Sequence, residues 1–184
     1  MPAPVPLTKI APIIDALKAA QARGGGLVWR LIHTGQHYDK AMSGSFFEQL
    51  GIPEPDINLE VGSGTQAEQT AAIMVRYEKL LLEQRSDLCL VVGDVTSTMA
   101  CSIAARKCGV QVVSADPGER AMRPALKPYI EDILGQLDIF MPSDQEVESL
   151  FSDDPNEMDA KQCARWFAER GPAIVVIKLG SDGV

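Results

Sequence analysis

The segment that most constrains the fold is an apolar run, Leu88 to Val92, followed by a glycine and a group of hydroxyl-bearing residues. Uninterrupted apolar runs of this length are typical of strands buried on both faces of a parallel sheet. Gly93 ends the strand, and the hydroxyls of residues 96–98 offer side-chain caps for a helix that we expect to reach Lys107. Such a strand-to-helix turn either binds a phosphate, through the helix dipole and free N–H groups, or is simply a capped helix start.

Strand-like and helix-like segments alternate along the whole sequence. This alternation predicts an α/β fold, a doubly wound parallel sheet of about six strands in a flavodoxin-like or Rossmann-like three-layer sandwich. We expect a single domain over residues 1–184. The predicted strands are Leu27–His33, Ile57–Val61, Leu88–Val92, Val110–Ser114, Asp138–Met141 and Ile174–Leu179. The predicted helices are Leu7–Arg23, Lys40–Leu50, Thr65–Gln84, Thr96–Lys107, Pro124–Gly135, Ser143–Phe151 and Glu157–Arg170.

Charge and cysteine usage exclude several classes of function. The net charge is −8 and no run of Lys or Arg stands out, so we expect neither a nucleic acid nor a membrane as partner. Four cysteines form no C-x-x-C pair and there are only two histidines, so we predict no metal site. We expect reduced thiols, no signal peptide and no membrane span, hence a cytoplasmic protein.

The first part of the chain carries a specific set of motifs: Lys9 to Pro12, Thr34 to Asp39, Phe47 to Ile52 and Gly93 to Thr98. Through them residues 7–113 resemble the N-terminal domain of the non-hydrolysing UDP-N-acetylglucosamine 2-epimerases. The resemblance covers more than half of the chain. It implies a Rossmann-like sheet and an isomerase that uses no cofactor.

The remaining residues, 114–184, resemble a different family, the PfkB/ribokinase-type carbohydrate kinases. Asp116 to Gly118, Leu137 to Pro142, Glu146 and Val176 to Gly183 carry this second resemblance. The kinase N-x-x-E magnesium motif appears as Ser-Asp-Gln-Glu, without its asparagine, and this segment also has capping-box spacing. We therefore predict a chimera of engineered origin, with its junction in the strand near residues 112–114.

The epimerase resemblance also implies a central strand ahead of Lys9 that the sequence does not show. With the predicted strands numbered 1 to 6, the simplest closure places strand 1 beside strand 3 and gives the order 2-1-3-4-5-6. Two alternatives stay open: strand 6 fills the gap, or a second chain supplies a strand in a homodimer. In the preferred order the switch point, where open α/β sheets bind ligands, lies between strands 1 and 3.

The resemblance provides a candidate carboxylate and nucleotide-sugar contacts at Lys9, Gln36 and His37, and the strand-to-helix turn at the switch point provides an anion cradle over residues 93–97. Asp94 matches a family carboxylate and is the candidate catalytic residue, although it could equally cap the following helix. The candidate residues for binding a UDP-sugar or a phosphate are Lys9, Gln36, His37, Gly93, Thr96 and Ser97. One carboxylate does not complete an acid–base pair. The sequence therefore favours a domain without complete catalytic machinery that retains at most UDP-sugar or phosphate binding. The alternatives are an epimerase-like isomerase and a PfkB-type sugar kinase.

Overall fold

The computed structural model describes residues 5–24, 26–35, 47–93, 95–118, 122–154, 158–180 and 183. The chain forms two compact units, Met1–Arg76 and Tyr77–Val184. Both are built from helices and parallel strands, so the predicted α/β class is confirmed. No helix within the described ranges is long and apolar enough to cross a membrane.

The first unit contains a parallel pair of short strands and an amphipathic helix. Its elements are α1 (Val5–Ala22), β1 (Ile32–His33), β2 (Ile57–Asn58) and the start of α2 (Gln66–Glu83). In the ladder Ile32 faces Ile57. One face of α1 packs into a small core around Ile14, Phe47 and Ile52. The helical spacing of apolar residues after Leu7 predicts this helix, because such spacing places them on one face.

The second unit contains a four-stranded parallel sheet with its strands in chain order, β3-β4-β5-β6. Its strands are β3 (Leu88–Val92), β4 (Gln111–Ala115), β5 (Ile139–Met141) and β6 (Ile174–Val175). Its helices are α3 (Thr96–Lys107), a 3₁₀ turn (Pro124–Leu126), α4 (Lys127–Leu134), α5 (Asp144–Leu150) and α6 (Ala160–Ala168). The buried core includes Phe140 of β5, whose ring packs at an angle of 59° against that of Phe167 of α6, with the two centroids 5.0 Å apart.

The expected single six-stranded sheet is wrong in one respect. β2 pairs with β1, and β3 to β6 follow one another, as the order 2-1-3-4-5-6 requires. No ladder joins β1 to β3 over the ranges that the structure describes, and the strands form two sheets. The apolar pattern specifies which segments are strands, but strand pairing depends on backbone hydrogen bonds that side-chain pattern alone does not encode.

Strand β3 differs from the expectation of burial on both faces. Cys89 and Val91 are buried, whereas Leu88 and Leu90 are 44% and 36% exposed. The residues of a strand point alternately to opposite faces, so one face of β3 is covered and the other is open. The prediction failed because an apolar run shows what a strand can bury, not which of its faces a neighbour covers.

Candidate functional site

The turn between β3 and α3 is described on both sides of position 94 and combines a glycine with a helix start. Gly93 is buried at φ +92°, a left-handed conformation that favours glycine. Its N–H donates to the Ala115 carbonyl at 3.2 Å, which continues the β3–β4 ladder by one residue. The chain then enters α3 at Thr96, and Ser97 follows in the first turn; both side chains are half-buried. The positive end of the α3 dipole therefore lies at the carboxyl edge of the sheet.

The N-cap position of α3 is not occupied by one of the hydroxyl-bearing residues that the sequence offers as caps. The N-cap residue is Val95, whose side chain makes no capping hydrogen bond. The Thr98 hydroxyl instead donates to the Val92 carbonyl at 3.3 Å, and the Ser102 hydroxyl donates to the Thr98 carbonyl at 2.7 Å. Val95 already has the extended backbone conformation of an N-cap, so α3 begins at Thr96. This start is one residue earlier than it would be if Thr96 were the N-cap residue.

The predicted ligand-binding residues fall into three groups. Gly93, Thr96 and Ser97 are brought together in the turn after β3. Lys9 belongs to the first unit, where it is half-buried on α1. Gln36, His37 and the candidate catalytic Asp94 lie outside the described residues.

The first unit has its own carboxyl edge, where β1 and β2 end side by side. The N–H of Val61 donates to the Thr34 carbonyl at 3.1 Å, and that of Gly62 donates to the Gly35 carbonyl at 2.8 Å. Gly35 has φ +73°, and a Cβ atom there would lie 2.8 Å from the backbone of Glu60. Only glycine fits this crossing, which explains the glycine in the motif that begins at Thr34.

Two side chains that the sequence did not single out hold this edge. Arg76 reaches from α2 and donates to the Leu59 and Glu60 carbonyls, both at 2.5 Å. The Nδ1 atom of His33 accepts the Gly35 N–H at 3.2 Å, which places the proton of the neutral ring on Nε2. The role of neither residue could be recognised from the sequence, because Arg76 is one of many basic residues on the predicted helices and His33 lies inside an apolar strand.

The Gly62 to Ala67 segment, which matches G-x-G-x-x-A, forms a capped turn. The Glu68 carboxylate accepts the Thr65 N–H at 2.8 Å and its hydroxyl at 3.0 Å, while the Glu68 N–H donates back to Thr65 at 3.2 Å. This reciprocal pattern is a capping box at the start of α2. The segment is therefore a structural turn that starts α2.

The second unit also carries a buried carboxyl at the ends of β4, β5 and β6. Glu146 is 2% exposed and closes the capping box with Ser143 that the S-x-x-E spacing predicts. Its neighbours Asp116 and Lys178, 3.3 Å apart, are contributed by the segments after β4 and β6. Within the described ranges no group of three His, Cys, Asp or Glu side chains could hold a metal ion.

Comparison with known proteins decides the family. A family model described as UDP-N-acetylglucosamine 2-epimerase matches residues 18–134, more than half of the chain. The chain belongs to the UDP-N-acetylglucosamine 2-epimerase family. The match includes the turn after β3 and the carboxyl edge of β1 and β2. It also passes through residues 112–114, so it gives no support to a junction in that strand.

Curated members of the family are similar over part of their length. The UDP-N-acetylglucosamine 2-epimerase of Methanocaldococcus jannaschii is 35% identical over 128 residues, 70% of this chain and 34% of that protein. The UDP-2,3-diacetamido-2,3-dideoxy-D-glucuronate 2-epimerase of Pseudomonas aeruginosa is 38% identical over 104 residues, 56% of this chain and 29% of that protein. The chain thus spans about a third of the length of these relatives.

Solved structures agree with the fold. The Methanocaldococcus jannaschii UDP-GlcNAc 2-epimerase, in complex with UDP-GlcNAc and UDP, superposes with a TM-score of 0.64 at 27% identity and covers 85% of this chain and 42% of that chain. A putative ribokinase II from E. coli superposes with a TM-score of 0.55 at 15% identity, over 92% of this chain and 61% of that chain. The similarity to the ribokinase is one of fold alone, so it does not support the prediction of a chimera.

Proposed function

We propose that this chain binds the diphosphate of a UDP-sugar at the turn between β3 and α3, as part of a UDP-N-acetylglucosamine 2-epimerase-like isomerase. The observation that carries the proposal is the family match across that turn, where Gly93 is left-handed and α3 begins at Thr96. This was the alternative among the functions that the sequence suggests. The domain without complete catalytic machinery was the preferred one.

The chemistry of the turn suits a phosphate. The N-terminus of a helix carries about half a positive charge and presents backbone N–H groups to an anion. The hydroxyls of Thr96 and Ser97, in the first turn, can donate to phosphate oxygens. The chain as a whole carries a net charge of −8, so attraction of a diphosphate must come from such local groups.

The family resemblance implies a reaction in which a base removes the proton from C2 of the sugar and UDP leaves from C1. Return of a proton to the opposite face of C2 and re-addition of UDP complete the inversion. In this proposal Asp94 is one of the carboxylates that exchange protons with the sugar, and its assignment rests on the Gly93 to Thr98 motif. Lys9, Gln36 and His37 are proposed to contact the nucleotide sugar. A homodimer and a cytoplasmic location stay predictions.

Binding is tested by titrating thermal unfolding of the full chain with UDP, UDP-N-acetylglucosamine and ATP in separate experiments. A ligand that binds the native state at a hundred times its Kd stabilises it by about 2.7 kcal/mol, so the two uridine ligands should raise Tm. The double variant Thr96→Val with Ser97→Ala should reduce the shift. Ser102→Ala is the matched control, because it removes a hydroxyl of the same helix away from the turn.

Turnover is tested by following interconversion of UDP-N-acetylglucosamine and UDP-N-acetylmannosamine at high protein concentration. Asp94→Asn should abolish it, whereas Asp87→Asn, an exposed carboxylate just before β3, should leave it unchanged. Binding of the uridine ligands without interconversion of the UDP-sugars would favour the other hypothesis, a domain that binds a UDP-sugar but lacks complete catalytic machinery. The proposal would be overturned if neither UDP nor UDP-N-acetylglucosamine raised Tm. A shift with ATP alone would favour the kinase alternative, which otherwise rests on fold alone.

A further inference from the structure

Strand β3 is an edge strand, and its open edge faces away from β4. The Gln111 N–H donates to the Asp87 carbonyl and the Gly93 N–H donates to the Ala115 carbonyl, each at 3.2 Å. Backbone groups of successive strand residues point to opposite edges, so the odd-numbered residues of β3 bond to β4 and the even-numbered ones point to the open edge. In the part of the chain that the structure describes, no strand pairs with that edge. The N–H groups of residues 88, 90 and 92 therefore have no backbone acceptor within the described ranges.

This edge carries none of the features that keep the edges of sheets from pairing. Proteins keep such edges short, place charges or proline on them, or bend them with a bulge. β6, at the other end of the sheet, is two residues long and begins two residues after Pro172. β3 has five uncharged residues, and Leu88 and Leu90 are partly open to solvent on one face. An apolar edge of this length is a template for a further strand.

We propose that the open edge of β3 pairs with β3 of a second copy of this chain, in antiparallel orientation about a two-fold axis at Leu90. In this register Leu90 faces the partner's Leu90, and Leu88 faces the partner's Val92. The even-numbered residues form the hydrogen-bonded pairs, and each pair exchanges both of its N–H···O=C bonds. The Val92 carbonyl, which accepts the Thr98 hydroxyl at 3.3 Å, has a second lone pair for this bond.

The sequence of β3 is self-complementary in this register. Alignment about Leu90 pairs residues 88–92 with residues 92–88, so every position of the strand faces an uncharged, apolar residue. Because the even-numbered residues face this edge, the register slips in steps of two. One such slip places Asp87 opposite an apolar residue of the partner, and the other places Leu88 opposite the partner's Asp94. Burial of an unpaired carboxylate is costly, so the apolar pattern selects the central register and favours a second copy as the occupant.

The size and charge of the two copies determine how strongly they associate. Two five-residue strands bury less than the roughly 1,200 Å² of a standard stable interface, so the dimer is weak and depends on concentration. The helix α3, which packs against β3, adds an exposed apolar stripe at four-residue spacing, formed by Val95, Met99 and Ile103. Each copy carries a net charge of −8, and salt screens the repulsion between copies. Association should therefore strengthen as the salt concentration rises.

The test is amide hydrogen exchange of the full chain, followed by NMR at low and at high protein concentration. The amides of Cys89 and Val91, which face β4, should be protected at both concentrations. Protection of the amides of Leu88, Leu90 and Val92 should rise by about tenfold or more with concentration, because these alternate N–H groups gain acceptors in the dimer. Sedimentation equilibrium of the same samples measures the dimer fraction, which added sodium chloride should increase.

Two variants separate pairing at this edge from other association. Leu90→Lys places two ammonium groups opposite each other on the two-fold axis, so the Kd of the dimer should rise by about tenfold or more. Circular dichroism checks that this variant is folded. Ile133→Lys is the matched control, because it adds the same charge at an exposed apolar residue of α4, and it should dimerise like the unmodified chain. Three results would overturn the proposal: a monomer at every concentration, a dimer that persists in Leu90→Lys, or even-numbered amides of β3 that are protected equally at every concentration.

Discussion

Replacement of Gly35 by alanine is the sharpest test of how the carboxyl edge of β1 and β2 is built. The left-handed φ of +73° costs an alanine about 1–2 kcal/mol. The new Cβ would lie 2.8 Å from the Cα and N atoms of Glu60 and 2.5 Å from the Asn58 Oδ1 atom. Backbone cannot yield as a flexible side chain does, and overpacking of this kind adds about 1–3 kcal/mol. We expect a loss of about 2–5 kcal/mol for Gly35→Ala in the free energy of unfolding of the first unit.

Gly24→Ala is the matched control for this prediction. Gly24 follows α1 in the same unit with φ +82°, and a Cβ atom there would meet nothing within 4 Å. Its replacement should cost only the backbone part, about 1–2 kcal/mol. Urea unfolding of chains labelled with 5-fluorotryptophan reports on the units separately by ¹⁹F NMR, because Trp29 lies in the first unit and Trp166 in the second. Equal losses at the Trp29 signal for both variants would refute the argument from close approach.

Three further outcomes are expected. Phe167→Ala should destabilise the second unit by about 3–5 kcal/mol in urea unfolding, because Phe167 is fully buried against Phe140, Phe151 and Trp166; a loss below about 1 kcal/mol would contradict this packing. Burial raises the pKa of Cys101 to about 12, so its thiol should resist iodoacetamide near neutral pH in the native chain and react with it in urea. Mass spectrometry measures the labelling, and labelling of Cys101 in the native chain would contradict its burial. Hydrogen bonds from the Thr65 N–H and hydroxyl lower the pKa of the exposed Glu68 carboxyl, so the stability that this carboxylate gives α2 should be lost as pH falls through the lowered pKa. Circular dichroism should show a loss of helicity in acid that a Glu68→Gln variant lacks. The same acid profile in the variant and in the unmodified chain would refute the prediction.

The candidate site was predictable where a local rule applies. The turn after β3 is visible in the sequence because a strand, a glycine and a helix start must follow one another there, and α3 ends at the predicted Lys107. The capping box of Ser143 and Glu146 is equally local, since its two hydrogen bonds join residues three positions apart. A further capping box, between Asp159 and Gln162 at the start of α6, follows the same rule, although it was not among the predictions from the sequence.

The sequence by itself determined the alternation of strands and helices, and with it the α/β class, because period and capping are properties of neighbouring residues. Only the tertiary structure decided that the strands form two sheets, that one face of β3 stays open, and that Arg76 clamps two carbonyls sixteen and seventeen residues away. It also decided that Glu146 meets Gly118, 28 residues away in the chain. Such contacts follow from which segments the fold brings together, and a single sequence does not encode that choice in its local pattern.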